Sequence, residues 1–277
     1  MPELFEAGRL QKMAAALDEP VSYGLRLDDQ TLPLNDLMGR RIELNFTGAI
    51  FCHHCGRKTS KSFSQGYCYP CFKTLAQTDL CIVSPEKCHY SAGTCREPEW
   101  GDTHCMIEHV VYLANSSGVK VGITRHSQVP TRWIDQGAIQ ALPILRVQTR
   151  QQSGLVEAAL RQHVSDRTNW RAMLKGNNQV LDLPTLRDDL LQRSETDLSA
   201  LQQQFGVQAI QPLLDAEVTD IHYPVEQYPE KIVSLNPDKE PRVAGTLHGI
   251  KGQYLLLDTG VINLRKFTAY QVEFSVF

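Results

Sequence analysis

All eight cysteines of this 277-residue chain fall between Cys52 and Cys105, so its soft-ligand chemistry is confined to one segment. The run FCHHCGRKTSKSFSQGYCYPCF sets Cys52-x-x-Cys55 twelve residues ahead of Cys68-x-x-Cys71. A C-x-x-C pair places two thiolates on one tight knuckle, and two knuckles complete the four-ligand shell that zinc prefers. The spacing predicts a structural zinc ribbon; disulfides and an iron–sulfur cluster are the other chemistries that thiols of this kind serve. The second set, Cys81, Cys88, Cys95 and Cys105, has intervals of six, six and nine residues and no knuckle. A second zinc is the economical reading, with His89, His104 or His109 each able to replace one cysteine. Two such sites let a loop-rich segment fold without a large apolar core, because metal binding there is folding energy.

The first ribbon also interleaves Arg57, Lys58 and Lys61 with Phe63, Tyr67, Tyr69 and Phe72. That mixture suits phosphate contact and base stacking, or equally a solvated ribbon tip over a small aromatic core. His53 and His54, inside the first knuckle, read as exposed residues rather than ligands. Charge is uneven along the chain. Net charge is −3, yet residues 110–175 carry nine Lys/Arg against three acids, a surplus of +6. The basic module is either an electrostatic footprint for an anionic partner or an arginine-rich solvated surface.

The elements that must position these groups follow from pattern. HVVYLA (109–114) and VKVGIT (119–124) are β-type runs joined by Asn115-Ser116-Ser117-Gly118, a hairpin with a four-residue loop. Val129 to Gln136 suits a short helix stopped by Gly137, and LPILRVQT (142–149) is a third strand. SGLVEAALRQHV (153–164) sets Leu155, Val156, Ala159, Leu160 and Val164 on one side of an amphipathic helix. The order is β-β-α-β-α. Thr168-Asn169-Trp170-Arg171 then caps the module or meets a base.

This layout resembles the GIY-YIG nuclease superfamily, whose domain opens with a hairpin bearing two short tyrosine/glycine motifs. The family places an arginine on its first helix and a metal-binding glutamate on a later one. Here Val110-Val111-Tyr112 stands for the first motif and Lys120-Val121-Gly122 for the second, with Lys120 in place of a tyrosine. Arg132 stands for the helix arginine, Glu157 for the glutamate, and Asn169 is nearest to a late asparagine. The complete chain resembles an uncharacterised bacterial family that carries a zinc ribbon. The nuclease resemblance implies phosphodiester hydrolysis with Tyr112, Lys120, Arg132 and Glu157 as the catalytic set. Glu157 would hold magnesium or another divalent ion, and Arg132 would fork the phosphoryl oxygens. Tyr112 or Lys120 would orient or deprotonate the water, while Arg125 and Arg161 contact the substrate. Glu157 and Arg161 also stand at i and i+4, the spacing of an ordinary helix-surface pair.

Around this module, VSYGLRLDD (21–29) and RRIELNFTG (40–48) read as strands, and 244–277 holds several short β-rich runs. Tyr23 to Asp29, Leu34-Asn35 and Ile42 to Leu44 resemble Tyr254 to Asp258, Ile262 to Leu264 and Val272 to Phe274. This is a duplicated small β unit, barrel-like, or a pair of unrelated sheets. The expected fold is α+β: a β unit over 1–50, a zinc segment over 51–108 and the basic module over 109–182. A helical stretch over 183–221, a Pro-rich connection over 222–242 and a β unit over 243–277 complete the chain. MPELFEAGRL lacks the basic and apolar regions of a secretory leader, and no run is long enough to span a bilayer, so a cytoplasmic address is the expectation. No Walker loop, G-x-S-x-G elbow or Rossmann fingerprint is present. The expected function is a metal-dependent endonuclease acting on DNA or RNA, with a non-catalytic nucleic-acid-binding protein or adaptor as the alternative. A third reading is a protein-docking scaffold; the sequence names no protein partner.

Overall fold

The computed structural model describes residues 3–164 and 169–277, so Asp166, Arg167 and the proposed cap Thr168 lie outside the described residues. The protein is α+β and built from antiparallel sheets. Its first stretch supplies β1 (Glu3–Arg9), β2 (Ala14–Ala16), β3 (Ser22–Leu27), β4 (Gln30–Pro33) and β5 (Arg41–Phe51). The cysteine segment holds β6 (Lys58–Thr59), α1 (Tyr69–Thr74), α2 (Leu80–Val83) and α3 (Pro98–His104). Next come β7 (His109–Asn115), β8 (Val119–Arg125), α4 (Thr131–Asp135), β9 (Gln140–Val147) and α5 (Arg150–Leu160). Helices α6 (Trp170–Met173), α7 (Leu183–Arg193) and α8 (Glu195–Phe205) precede β10 (Ile210–Pro212) and β11 (Thr219–Asp220). The last strands are β12 (Arg242–Lys251), β13 (Tyr254–Leu257), β14 (Gly260–Asn263) and β15 (Tyr270–Val276). Among the described residues no helix is long and apolar enough to cross a membrane.

Strands β1 and β5 of the first stretch join the last stretch in one sheet, while β2-β3-β4 form a three-stranded sheet of their own. The shared sheet has the order β1-β15-β5-β12-β13-β14, so both edges of β5 are taken by strands from the last stretch. The pairing carries a pseudo-twofold. Leu25, Leu27, Asp28, Leu32, Leu34, Leu37, Ile42 and Leu44 answer Leu255, Leu257, Asp258, Ile262, Leu264, Phe267, Val272 and Phe274, each pair equally far apart in the chain. Ile42 lies opposite Val276, Leu44 opposite Phe274 and Phe46 opposite Val272, a register that maps onto itself when the two repeats exchange. The bridge from Leu10 to Leu27 likewise recurs as Leu247 to Leu257. Gly39 and Ala269 hold matching positions with φ of 75° and 78°. Glycine adopts this left-handed turn freely, whereas Ala269 accepts a steric cost to close the same corner. The duplicated reading of the β-rich stretches therefore describes the molecule.

The central sheet has the order β10-β9-β7-β8, with β11 also on β9. All seven residues of β7 are buried. One face, with Val110, Tyr112 and Ala114, packs on Trp133, Ile134 and the core of the duplicated β unit. The other, with Val111, Leu113 and Val121, packs on Val156 and Leu160 of α5 and on Leu190 and Leu198 behind it. Coverage on both sides explains why this strand reads as a continuous apolar run rather than an alternation. A capping box between Thr149 and Gln152 starts α5 and fixes where its first residue, Arg150, emerges. The Pro-rich connection over 222–242 hugs the C-terminal strands: Ile250 donates to the Pro224 carbonyl and Val261 to that of Val233.

Candidate metal centre and cationic cleft

The first cysteine set converges. Cys52 leaves β5, its carbonyl accepts from Gly56 N–H at 2.9 Å, and Gly56 takes a φ of 67° to turn the knuckle. Cys68 caps α1 and Cys71 lies one turn in. The four sulfurs lie within 4.8 Å of one another, with Cys55 and Cys68 3.7 Å apart. A tetrahedral site with Zn–S bonds of about 2.3 Å has sulfur–sulfur edges of about 3.8 Å. The cluster is thus able to bind zinc, and all eight cysteines are free rather than disulfide-bonded. Burial pushes the Cys52 thiol up, but backbone groups of Cys55, Cys68 and His54 bond to its sulfur and bring it down to about 6. Cys71 is driven far upward, by burial first and then by its neighbouring thiols. His53 and His54 are exposed, as are Arg57, Lys58 and Lys61. Phe63 packs 5.5 Å from Tyr69 and 5.6 Å from Phe72, so the ribbon's aromatics largely serve one another.

Cys81, Cys88, Cys95 and Cys105 line one cavity of about 20 Å³ together with Asp79, His89, Trp100 and Gly101. Ligand atoms of Asp79, Cys81 and His89 lie within 4.8 Å of one another. Burial first, then Asp79 and the three other thiols, push Cys81 up to about 11. The other two histidines stand elsewhere. His104 stacks on Trp100 at 4.2 Å, and His109 is fully buried with Nδ1 2.7 Å from the Ile107 carbonyl.

Tyr112 spans β8 from below. A Cβ on Gly122, directly opposite it, would lie 2.6 Å from the tyrosine ring, so only glycine fits beneath the phenol. The hydroxyl donates to Gln136 Oε1 at 2.9 Å, and the ring meets Trp133 edge-on at 5.9 Å. Burial pushes this phenol up to about 12; the Arg132 guanidinium beside it pulls downward and Glu157 pushes upward. Tyr112, Arg132 and Glu157 therefore share one neighbourhood, but the phenol is wholly enclosed. Glu157 is also buried and accepts from Arg161 Nη2 at 2.9 Å. Lys120 sits half-buried on β8, on the same face as Gly122 and Thr124.

Arg125 and Arg132 open instead on a cleft of about 560 Å³, whose residues do not include Tyr112, Lys120, Glu157 or Arg161. Lys12, Arg150 and Arg265 join them there, five cations around the single acid Asp135. Asp135 is already engaged: Lys12 pairs with it, Arg265 lies 3.9 Å away, and Gln253 Nε2 donates to it at 2.9 Å. The guanidiniums repel one another. Arg150 and Arg265 are both pulled below the usual arginine range, by burial first, with Arg132 contributing to each. Thr124 and Gln128 line one wall, Gln65 and Tyr67 of the ribbon another, and Trp100 with His104 a third. Arg150 belongs to the basic surplus of 110–175, whereas Lys12 and Arg265 were invisible to pattern reading, because residues this remote in sequence meet only when the sheets close.

These features define an α+β protein with a four-cysteine cluster, able to hold a metal, against an arginine-lined cleft. The chain belongs to the DUF2797 family, described as proteins of unknown function, whose model matches residues 39–272. No curated protein and no solved structure matches it, so no relative supports the nuclease resemblance.

Proposed function

We propose that this protein binds nucleic-acid phosphodiesters in the cationic cleft and that the cysteine knuckle is a structural zinc centre buttressing one wall. The observation that carries this reading is the surplus of charge: five cations gathered around one carboxylate, which is itself paired. Clustering arginines without matching acids costs stability, and an anionic ligand offsets that cost through forked hydrogen bonds to its oxygens. Tyr67, Trp100 and His104 add flat surfaces on which unpaired bases can stack. Anisotropy with fluorescent single- and double-stranded oligonucleotides tests the proposal. Binding that weakens with salt and is lost in an Arg125→Ala/Arg132→Ala double variant supports it; binding indifferent to both refutes it.

A second reading, a GIY-YIG-like endonuclease, draws on the electrostatic influence of Arg132 and Glu157 on Tyr112. In it Glu157 would hold magnesium and Arg132 would reach both the phenol and the bound phosphate. The enclosed phenol and the Glu157–Arg161 pair weigh against it. Magnesium-dependent cleavage lost in Glu157→Gln, with binding retained, would establish this reading over the first. Reduced thiols and a nucleic-acid ligand both accord with a cytoplasmic address.

A further inference from the structure

Residues 79–105 have little apolar reason to fold, with Pro85 buried close to Gly154 of α5. None belongs to a hydrophobic cluster among the described residues, and Leu80 and Val83 of α2 are exposed by 60% and 78%. Helices as short as α2 and α3 are not stable alone. What the segment gathers is ligands. Four thiols from separate turns, with the His89 imidazole, surround a space of about 20 Å³. One water needs roughly 10–15 Å³ by the same kind of measure, so there is room for one atom-sized guest. The walls are shaped for closeness: a Cβ on Gly101 would lie 3.1 Å from the Tyr90 ring and 3.6 Å from Cys95 Sγ. His89 is oriented as metal-bound imidazoles are, with Nδ1 held by Thr94 Oγ1 at 2.8 Å and Nε2 turned inward. Asp79 lies 3.5 Å from that Nε2, its carboxylate is held by Arg96 at 2.6 Å, and its ligand atom lies within 4.8 Å of those of Cys81 and His89.

We propose that this cavity is a second, independent metal site for a soft divalent ion of the zinc class. Asp79, Cys81 and His89, whose ligand atoms already converge, anchor the ion, and one of the three thiols of Cys88, Cys95 and Cys105 completes a tetrahedral shell. Thiolates with one imidazole select zinc-like ions over magnesium or calcium. The ion replaces the missing core of the segment. It also reaches the cleft, a consequence that rests on the function proposed above. The Cys105 carbonyl accepts from Arg150 N–H at 2.8 Å, the Ile82 carbonyl from Arg150 Nη2 at 2.6 Å, and the Cys88 carbonyl from Gln151 Nε2 at 3.1 Å. The turns that carry the ligands thus hold the cleft's Arg150 in place.

Elemental analysis of the full chain purified without chelator is the test, beside cobalt(II) titration of the demetallated chain. Two zinc ions per chain are expected, falling to one in Cys81→Ser or His89→Ala and equally to one in Cys52→Ser/Cys55→Ser. The cobalt spectrum of the unmutated chain should resolve two sulfur-bound ions, one with an all-sulfur shell and one with mixed sulfur, nitrogen and oxygen. This measurement keeps the test decisive if a variant fails to fold. A single ion per chain, unaltered by Cys81→Ser, overturns the site. An all-sulfur spectrum for both ions, with zinc retained in His89→Ala, overturns the role of His89. If Cys81→Ser loses one zinc while oligonucleotide affinity is unchanged, the link to Arg150 is wrong and the site stands. If no oligonucleotide binds the unmutated chain while two zinc ions are found, the cleft reading fails and the metal site does not.

Discussion

Arg125→Ala is the substitution whose effect can be worked out most fully from the structure. Of the five cleft cations, Lys12 and Arg265 share Asp135, whereas Arg125, Arg132 and Arg150 enter none of the ion pairs among the described residues. Three guanidiniums are therefore available to displace counterions from phosphates. At about 0.9 ions per neutralised duplex phosphate, log K should fall against log salt with a slope of about −2.7, or about −2.1 on a single strand. Raising salt from about 50 to about 200 mM then weakens duplex binding roughly 40-fold. Removing Arg125 leaves two groups, a slope of about −1.8 and a loss of roughly 12-fold over the same range. Anisotropy titrations at four salt concentrations, on the unmutated chain and the variant, measure both slopes. A slope near zero in the unmutated chain, or an unaltered slope in Arg125→Ala, would refute the cleft as the phosphate-binding surface.

The remaining predictions concern the scaffold. Lys251 is fully buried with Nζ about equally far from the Tyr223 and Tyr228 rings, 5.4 and 5.5 Å, and without a hydrogen-bond partner among the described residues. Burial lowers its pKa to about 8. The folded chain therefore holds this proton less tightly than the unfolded one, so stability rises as pH climbs from about 8 towards about 10. At neutral pH the penalty is at most about 3 kcal/mol, part of it offset by the two rings, so Lys251→Met should stabilise by about 1–3 kcal/mol in thermal melts. His109 works in the opposite pH range: burial lowers it to about 4, so stability should decline between about pH 6.5 and about pH 4 as the unfolded state takes up the proton first. Acid titration of His109→Gln should flatten that part of the profile. Gly122→Ala drives a methyl into the Tyr112 ring and should cost about 1–3 kcal/mol by denaturant melts. Cys71→Ser should abolish zinc retention at the knuckle, read by elemental analysis, and loosen the wall built on Leu75 and Tyr67, read by proteolysis.

The parts of this molecule written locally were legible in the sequence. Two C-x-x-C knuckles announced their cluster because both halves of each pair lie on one turn, and the hairpin from His109 announced itself by its loop. The amphipathic side of α5 was equally plain, since Val156 and Leu160 face the sheet. What the pattern missed is relational. Tyr112 lies on a strand covered on both faces, and no local feature says that a second β unit will cover the side it points to. The expected pocket of Tyr112, Lys120, Arg132 and Glu157 consequently divides: Arg132 outward to the cleft, phenol and carboxylate inward. The cleft itself draws Lys12 and Arg265 from opposite ends of the chain, which no window of sequence contains.

The seating of β15 between β1 and β5 has a consequence for how the chain is made. On the ribosome β1 and β5 emerge long before the strand that belongs between them, and their unpaired edges must wait through the whole of the cysteine and arginine modules. Contacts this distant close late and slowly, and exposed edges in the interval invite pairing with other chains. The cysteine segment, directly after the waiting strands, can set early and gives the nascent chain a fixed point from which the final strand can find its slot.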